Sequence, residues 1–388
     1  MIRKGDLIDF DAATGRMHST PRQIFLEITS RCNLACVHCS KDYGSDAGHP
    51  ELDLPLETIH KLLPWIADAE SVNLNIVGEP LVAHHFQEIL ALTTQVSRRV
   101  CFNTNGVLLD REVCELLVQR QAFSIAVSVD GIESNWVLRG VDYQQLKSRI
   151  LALDAAKRAA RTERPEIALA FTLMNRNADE LPRLLEDLLP TGAIQAVHVQ
   201  PLVVFYEGLR GENVYSRTDI DALVKRCHAI ADGYQVPLML FRSSFVHDER
   251  SGRHAQEIPL GQVSKRFGCI DPFFEIKIRS NGDVMSCSNG RHGGLNVNAM
   301  TLDALWNAPW YRQLRLDLTA GRFLDECARC PCVHGSRTNQ ESHLRPGVHH
   351  SHEWRLRRGA SPDEAAPEPE ESLPEETPLV PGPQSPGA

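Results

Sequence analysis

The chain has 388 residues, 42% of them hydrophobic, enough for one large domain, a smaller one and a real buried core. Its net charge of -9 is local: residues 359–388 carry seven acidic side chains and no basic ones, so the remainder is close to neutral. There is no basic stripe with interleaved aromatics for nucleic acid, no apolar run of about 20 residues for a membrane span, and no apolar stretch in MIRKGDLIDFDAATG for a signal peptide, so a cytoplasmic location is expected.

Short β-branched or apolar runs predict strands at 23–28, 71–76, 99–103, 123–129, 166–173 and 194–202. Helical stripes lie between them. Pro55 opens the first, with Leu56, Ile59, Leu63 and Ile66 at helical spacing. Phe86, Ile89 and Leu90 make the next, followed by Leu146, Ile150 and Leu153, then Leu181, Leu184, Leu185 and Leu188. Six strand–helix repeats predict an α/β fold, a partial (β/α)6 barrel over residues 23–240 behind an extension at 1–22. Chemistry is then expected at the C-terminal strand ends. Further on, FFEIKI, the turn Ser280-Asn281-Gly282-Asp283 and VMSC predict a β-hairpin, followed by a short helix around 302–318. Residues 241–350 therefore read as a small cysteine-rich domain. The tail at 359–388, with eight prolines among its acids, is expected to be disordered.

The eleven cysteines carry the chemistry. With no export signal they point to metal or redox function rather than disulfides. Cys32, Cys36 and Cys39 follow the first predicted strand as C-x3-C-x2-C. A tight loop at a strand end can aim three thiolates at one point. Three thiolates suit a [4Fe–4S] cube with one iron left open, whereas an electron carrier uses four cysteines. The alternative is zinc with His38 as fourth ligand, although His38 sits between two ligands on a very short loop.

This motif and its place after the first strand resemble the radical S-adenosylmethionine (SAM) superfamily over roughly residues 20–235. The resemblance implies that the open iron chelates the cofactor's methionine part, and that one electron splits SAM into a 5′-deoxyadenosyl radical that abstracts hydrogen from an unactivated C–H. Val77-Gly78-Glu79-Pro80 is similar to the family's Gly-Gly-Glu-Pro segment, with Val77 in place of the first glycine. Asn103-Thr104-Asn105-Gly106 and Ser128-Val129-Asp130-Gly131 resemble segments lining the cofactor pocket. The cofactor-binding residues so implied are His38, Gly78, Glu79, Asn105, Ser128, Asp130 and Arg139, with His38 in a position usually aromatic and packed on adenine. Ser128 and Asp130 share one face by strand alternation and are expected to reach the ribose. Asn177 matches a common asparagine after the fifth strand.

Cys269, Cys287, Cys327 and Cys330, brought together by a hairpin and a C-x2-C turn, suit either zinc or a second cluster. This region, with Thr301-Leu302-Asp303-Ala304-Leu305-Trp306-Asn307 and Arg315, is similar to the auxiliary-cluster module called SPASM or its shorter form, twitch. Ser336 stands where the full form has a cysteine, which favours twitch with one auxiliary [4Fe–4S] cluster on those four ligands. Cys332 is then spare, an alternative ligand or a functional thiol. Cys227 and Cys114 fall on helical stripes as core residues, while Cys101 shares the alternation of Asn103 and is a candidate hydrogen donor, as is Cys332. His198 and Gln200 are candidates to face the substrate, under a loop that begins at Tyr206 and Glu207.

The expected function is radical hydrogen abstraction, with the auxiliary cluster favouring net oxidation. Only 31 residues precede Cys32, too few for a peptide-recognition domain, which favours dehydrogenation of a sugar or aminocyclitol intermediate. The alternatives are a peptide maturase that forms a crosslink, a redox-neutral epimerase, and a non-catalytic iron–sulfur or zinc protein. The expected partners are a small-molecule substrate or a precursor peptide, and a flavodoxin- or ferredoxin-type electron donor.

Overall fold

A computed structural model describes residues 11–43, 50–202, 204, 207–214, 217–240, 271–286, 293–320 and 322. The six predicted strands are all present: β1 (Gln23–Leu26), β2 (Ser71–Asn73), β3 (Val100–Thr104), β4 (Ser124–Ser128), β5 (Glu166–Leu173) and β6 (Ala196–Pro201). Three more follow, β7 (Leu238–Leu240), β8 (Glu275–Ile278) and β9 (Val284–Met285). The helices are α1 (Ser40–Tyr43), α2 (Leu56–Asp68), α3 (Phe86–Val96), α4 (Arg111–Gln119), α5 (Ser134–Arg139), α6 (Tyr143–Ala159), α7 (Glu180–Leu188), α8 (Ile220–Gly233), α9 (Asp271–Phe274), α10 (Leu302–Trp306) and α11 (Pro309–Thr319).

The strands form a single sheet in the order β7-β6-β5-β4-β3-β2-β1-β8-β9. Every neighbouring pair is parallel except β8 and β9. This is a partial barrel of βα units, as the repeats predict. Local sequence chemistry starts the helices on register. Asp110 caps α4 by accepting from Val113 N at 2.9 Å, and Asp142 caps α6 from Gln145 N at 3.1 Å. Such a cap contributes about 1 kcal/mol.

One face of the sheet packs against the helices. Ile24, Leu26, Val72, Phe102, Ile125, Val127, Leu169 and Val197 join Ile59, Leu62, Leu90, Leu146 and Leu184 in one core. Each such side chain contributes about 1.5–3 kcal/mol on full burial. In α2 the buried apolar positions are Ile59, Leu62, Trp65 and Ile66; Leu63, placed in the stripe by sequence, is only half-buried. The single helix expected around 302–318 is two, divided at Asn307-Ala308-Pro309, since Pro309 cannot continue a helix but suits the first turn of a new one.

The other face of the sheet is the inner face of the barrel. By strand alternation it carries Phe25, Asn73, Cys101, Asn103, Ser124, Ala126, Ser128, Ala168, Ala170, Thr172, His198 and Gln200. Ala126, Ala168 and Ala196 lie side by side in register as a buried floor, with half-buried or exposed polar residues around it.

The predicted hairpin forms at its Asn-Gly turn, where Gly282 has φ +85° and donates from N to Arg279 O at 2.8 Å. Its first strand, however, extends the barrel sheet, pairing β8 with β1 from Gln23↔Glu275 to Leu26↔Ile278. Buried Glu27, just past β1, accepts from Ser280 N at 3.2 Å and Ser280 Oγ at 2.8 Å, with Arg279 Nε 3.7 Å away. Lys277 lies 4.0 Å over the Phe25 ring and is ion-paired to Glu275. No helix among the described residues is long and apolar enough to cross a membrane. The tail at 359–388 lies outside the described residues.

Candidate active site

The chain leaves β1 at Leu26 and enters a loop that carries Cys32, Cys36 and Cys39 at the C-terminal edge of the sheet. Three supports hold this loop. Val37 N donates to Leu138 O at 3.0 Å, Glu79 N donates to Arg31 O at 2.8 Å, and Arg31 is ion-paired to Asp53. His84 Nδ1 is 2.7 Å from the same Asp53 oxygen. Burial would raise the Asp53 carboxyl, but Thr29, Arg31 and His84 hold it down at about 2.

Gly78 fits against the loop from below, with φ +78°. A Cβ there would overlap the Thr29 carbonyl and crowd the backbone of Ser30 and Arg31. Its backbone freedom therefore serves the cysteine loop itself. Glu79 is buried and its carboxylate is fully committed: Oε1 accepts from Thr104 Oγ1 at 2.7 Å and Leu81 N at 3.3 Å, and Oε2 accepts from Asn105 N at 2.7 Å. Burial raises its pKa, opposed by those donors. Glu79 thus clamps the ends of β2 and β3 together beneath the thiols.

Two side chains reach the thiols. Asn105 Nδ2 donates to Cys32 Sγ at 3.9 Å and to Asn33 Oδ1 at 2.7 Å, while its Oδ1 accepts from Val107 N at 2.9 Å. Arg139, at the end of α5, donates from Nη1 to Cys36 Sγ at 3.9 Å. Burial pushes the Cys36 thiol up to about 12, with Arg139 acting the other way, and burial raises Cys32 as well.

Asp130 is fully buried two residues beyond β4. Its Oδ2 lies 2.6 Å from Arg139 Nε and 3.1 Å from His38 Nε2, and its Oδ1 accepts from Thr172 N at 2.6 Å. Burial would raise this carboxyl, but Arg139 and His38 hold it at about 2. The Asp130 carboxylate is thus taken up by Arg139, His38 and the β5 backbone. Ser128, half-buried at the end of β4, stays on the inner face. Asn177 is structural here, donating to Asp130 O at 3.0 Å and Thr172 O at 2.9 Å.

Cys101 lies half-buried on the inner face between Asn73 and Ser124, its thiol raised to about 11 by burial. His198, also on that face, is lowered by burial. Cys114 and Cys227 are buried core residues, as their stripes predict. Tyr206 lies outside the described residues, and so do Cys269, Cys287, Cys327, Cys330 and Cys332.

Sequence reasoning missed Glu180, the first residue of α7. Its Oε2 accepts from Ile132 N at 2.6 Å and Glu133 N at 2.9 Å, closing the turn after Asp130. The only sequence signal was an acid at a helix start, which says nothing about a turn 48 residues earlier. Asp53 was missed because its partners Arg31 and His84 lie 22 and 31 residues away in sequence.

These residues fit a cluster and a cofactor. Three thiols share one loop, and the ring of His38 is turned to Asp130. His38 Nδ1 is buried without a hydrogen-bond partner, a polar atom that a bound ligand can satisfy. A loop bearing three cysteines at the C-terminal edge of a parallel partial barrel suits an iron–sulfur cluster with one open coordination site.

Comparison with known proteins assigns the family. The radical SAM superfamily profile matches residues 26–188, and an iron–sulfur cluster-binding SPASM profile matches residues 269–331. The chain belongs to the radical SAM superfamily and carries a C-terminal SPASM domain. Its cofactors are a SAM-binding [4Fe–4S] cluster, SAM and an auxiliary iron–sulfur cluster. It is 26% identical over 297 residues to the Fe-coproporphyrin III synthase of Methanosarcina barkeri, spanning 72% of this chain and 66% of that one. It is 27% identical over 319 residues to the mycofactocin maturase MftC of Mycobacterium ulcerans, 78% of each chain. The fold is also that of Streptococcus suis SuiB crystallised with its precursor peptide SuiA, at a TM-score of 0.57 and 15% identity over 76% of this chain and 67% of that one.

Proposed function

We propose that this enzyme is an oxidative peptide maturase, acting on a ribosomally made precursor peptide to form a crosslink or an unsaturated residue. The observation that carries this reading is the inner face of the barrel below the cysteine loop. Around the floor of Ala126, Ala168 and Ala196 it offers uncharged amides and hydroxyls, from Asn73, Asn103, Ser128, Thr172 and Gln200. Groups of that kind suit the amides of an extended polypeptide. Lys277 and Glu275, on β8, neutralise one another. The likeness to MftC supports the same reading and moves the balance away from the sugar or aminocyclitol substrate that the sequence suggests.

Cys32, Cys36 and Cys39 hold the SAM-binding cluster in this reading, and Cys269, Cys287, Cys327 and Cys330 hold the auxiliary one. Bound SAM and its cluster supply the radical that removes hydrogen from the substrate. Gly78 and Glu79 keep the cysteine loop seated on β2 and β3. Asp130 fixes the His38 ring and the Arg139 guanidinium, which reaches Cys36. The inner face positions the peptide. With the auxiliary cluster bound as acceptor of one electron, loss of one hydrogen atom to the radical and one proton to solvent would leave a product two hydrogens lighter than the substrate. A flavodoxin- or ferredoxin-type donor supplies the electron that begins each turnover.

The test is anaerobic turnover of the reconstituted protein with SAM, a reductant and short peptides encoded beside its gene, read by mass spectrometry. A peptide product lighter by two hydrogens is expected. Replacing Cys327 and Cys330 with Ala should retain 5′-deoxyadenosine and lose that product. Unchanged mass with one deuterium taken from heavy water would assign a redox-neutral epimerase instead, and turnover of sugars alone would overturn the peptide reading.

A further inference from the structure

We infer that Asn105 and Arg139 set the reduction potential of the three-cysteine cluster by hydrogen bonding to two of its ligand thiolates. The inference rests on the cluster site, not on the identity of the substrate. Asn105 Nδ2 is 3.9 Å from Cys32 Sγ, and Arg139 Nη1 is 3.9 Å from Cys36 Sγ. Neither contact is incidental. The Asn105 amide is fixed at both ends, by Val107 N on its oxygen and Asn33 Oδ1 on its nitrogen, so its donor is held toward Cys32. The Arg139 side chain is 11% exposed and its Nε lies 2.6 Å from Asp130 Oδ2, so the guanidinium that reaches Cys36 through Nη1 is held by a buried anion at Nε. Asp130 is in turn fixed by Thr172 N and His38.

Reduction adds one negative charge to the cluster and its thiolates. Donors to the sulfurs, and a cation beside them, stabilise the reduced form and raise the potential. Asp130 works against Arg139, since its carboxylate neutralises part of the guanidinium's field. The two members of this one ion pair therefore carry opposite signs, which a merely structural role would not produce.

The experiment is an EPR-monitored potentiometric titration of the reconstituted holoprotein without SAM, with iron and sulfide content measured for every variant. Arg139→Gln should shift the midpoint to lower potential. Asp130→Asn should shift it to higher potential, and Asn105→Leu should lower it while leaving the charge of the site unchanged. Midpoints that do not move, or that move in the same direction for Arg139→Gln and Asp130→Asn, would overturn the inference. Should either charge variant fail to assemble a cluster, Asn105→Leu decides: an unchanged midpoint refutes the role and a lowered one supports it. A wild-type protein that binds no four-iron cluster would instead remove the site on which the inference stands.

Discussion

Gly78 shows what a single residue does here. At φ +78° with the 29–31 backbone pressed against it, alanine would pay about 1–3 kcal/mol of backbone strain and push the cysteine loop off its seat. Gly78→Ala should therefore lower the melting temperature of the iron-free chain and reduce iron incorporation, both measurable after reconstitution in parallel with wild type. The sequence marked Gly78 and Glu79 through their motif, but as residues beside a ligand. In the structure the close neighbour of Gly78 is the chain's own backbone, and the Glu79 carboxylate is spent on β3 and the turn behind it. Asp130 and Arg139 were marked in the same way, yet their direct contact joins residues on two elements and could not be read from either. Motifs preserve which residues matter. The partner of each side chain depends on distances that only the fold creates.

At the scale of elements, the ladder between β1 and β8 binds the cysteine-rich C-terminal part to the barrel. Buried Glu27 anchors it through Ser280 and Arg279. Glu27→Ala would remove the buried acceptor of Ser280 N and Oγ, at a cost of about 1–3 kcal/mol. Denaturant unfolding should show that loss, while Glu27→Gln, which keeps an acceptor for Ser280, should lose less. Equal stability of Glu27→Ala and wild type would mean that the pair contributes nothing. The hairpin itself was legible because Asn281-Gly282 is a local signal. Its parallel pairing with β1 was not, since a parallel partner leaves no trace in nearby residues. β7 was missed because Leu238–Leu240 is only three residues long and shows no periodicity. The six strands with full βα spacing were legible because each repeats the same local pattern.

For the whole molecule, two cluster sites imply about eight irons per chain if each holds a [4Fe–4S] unit. Replacing Cys32, Cys36 and Cys39 together with Ala should remove about half of that iron and take 5′-deoxyadenosine release with SAM and reductant to background. Iron analysis and chromatography of the nucleoside check both, and equal release from the variant and wild type would trace the activity to a contaminant. The three-cysteine loop was the most legible part of the chain, because its spacing is local and chemically demanding. The second group of cysteines was legible as residues suited to a cluster, but their spacing alone does not fix how many clusters they hold.

The ladder between β1 and β8 also bears on how the protein is made. Glu27 and Ser280 are separated by 253 residues. On the ribosome, β1 emerges early and waits with one edge uncovered until about 250 further residues have followed. An exposed parallel edge is prone to pairing with other chains, and contacts this far apart in sequence form slowly. Nascent chains stalled before residue 275 would therefore carry the complete cysteine loop on a sheet that has not yet acquired its eighth strand. Productive synthesis then favours conditions that slow aggregation, such as low temperature or chaperone excess, over an abundant iron supply alone.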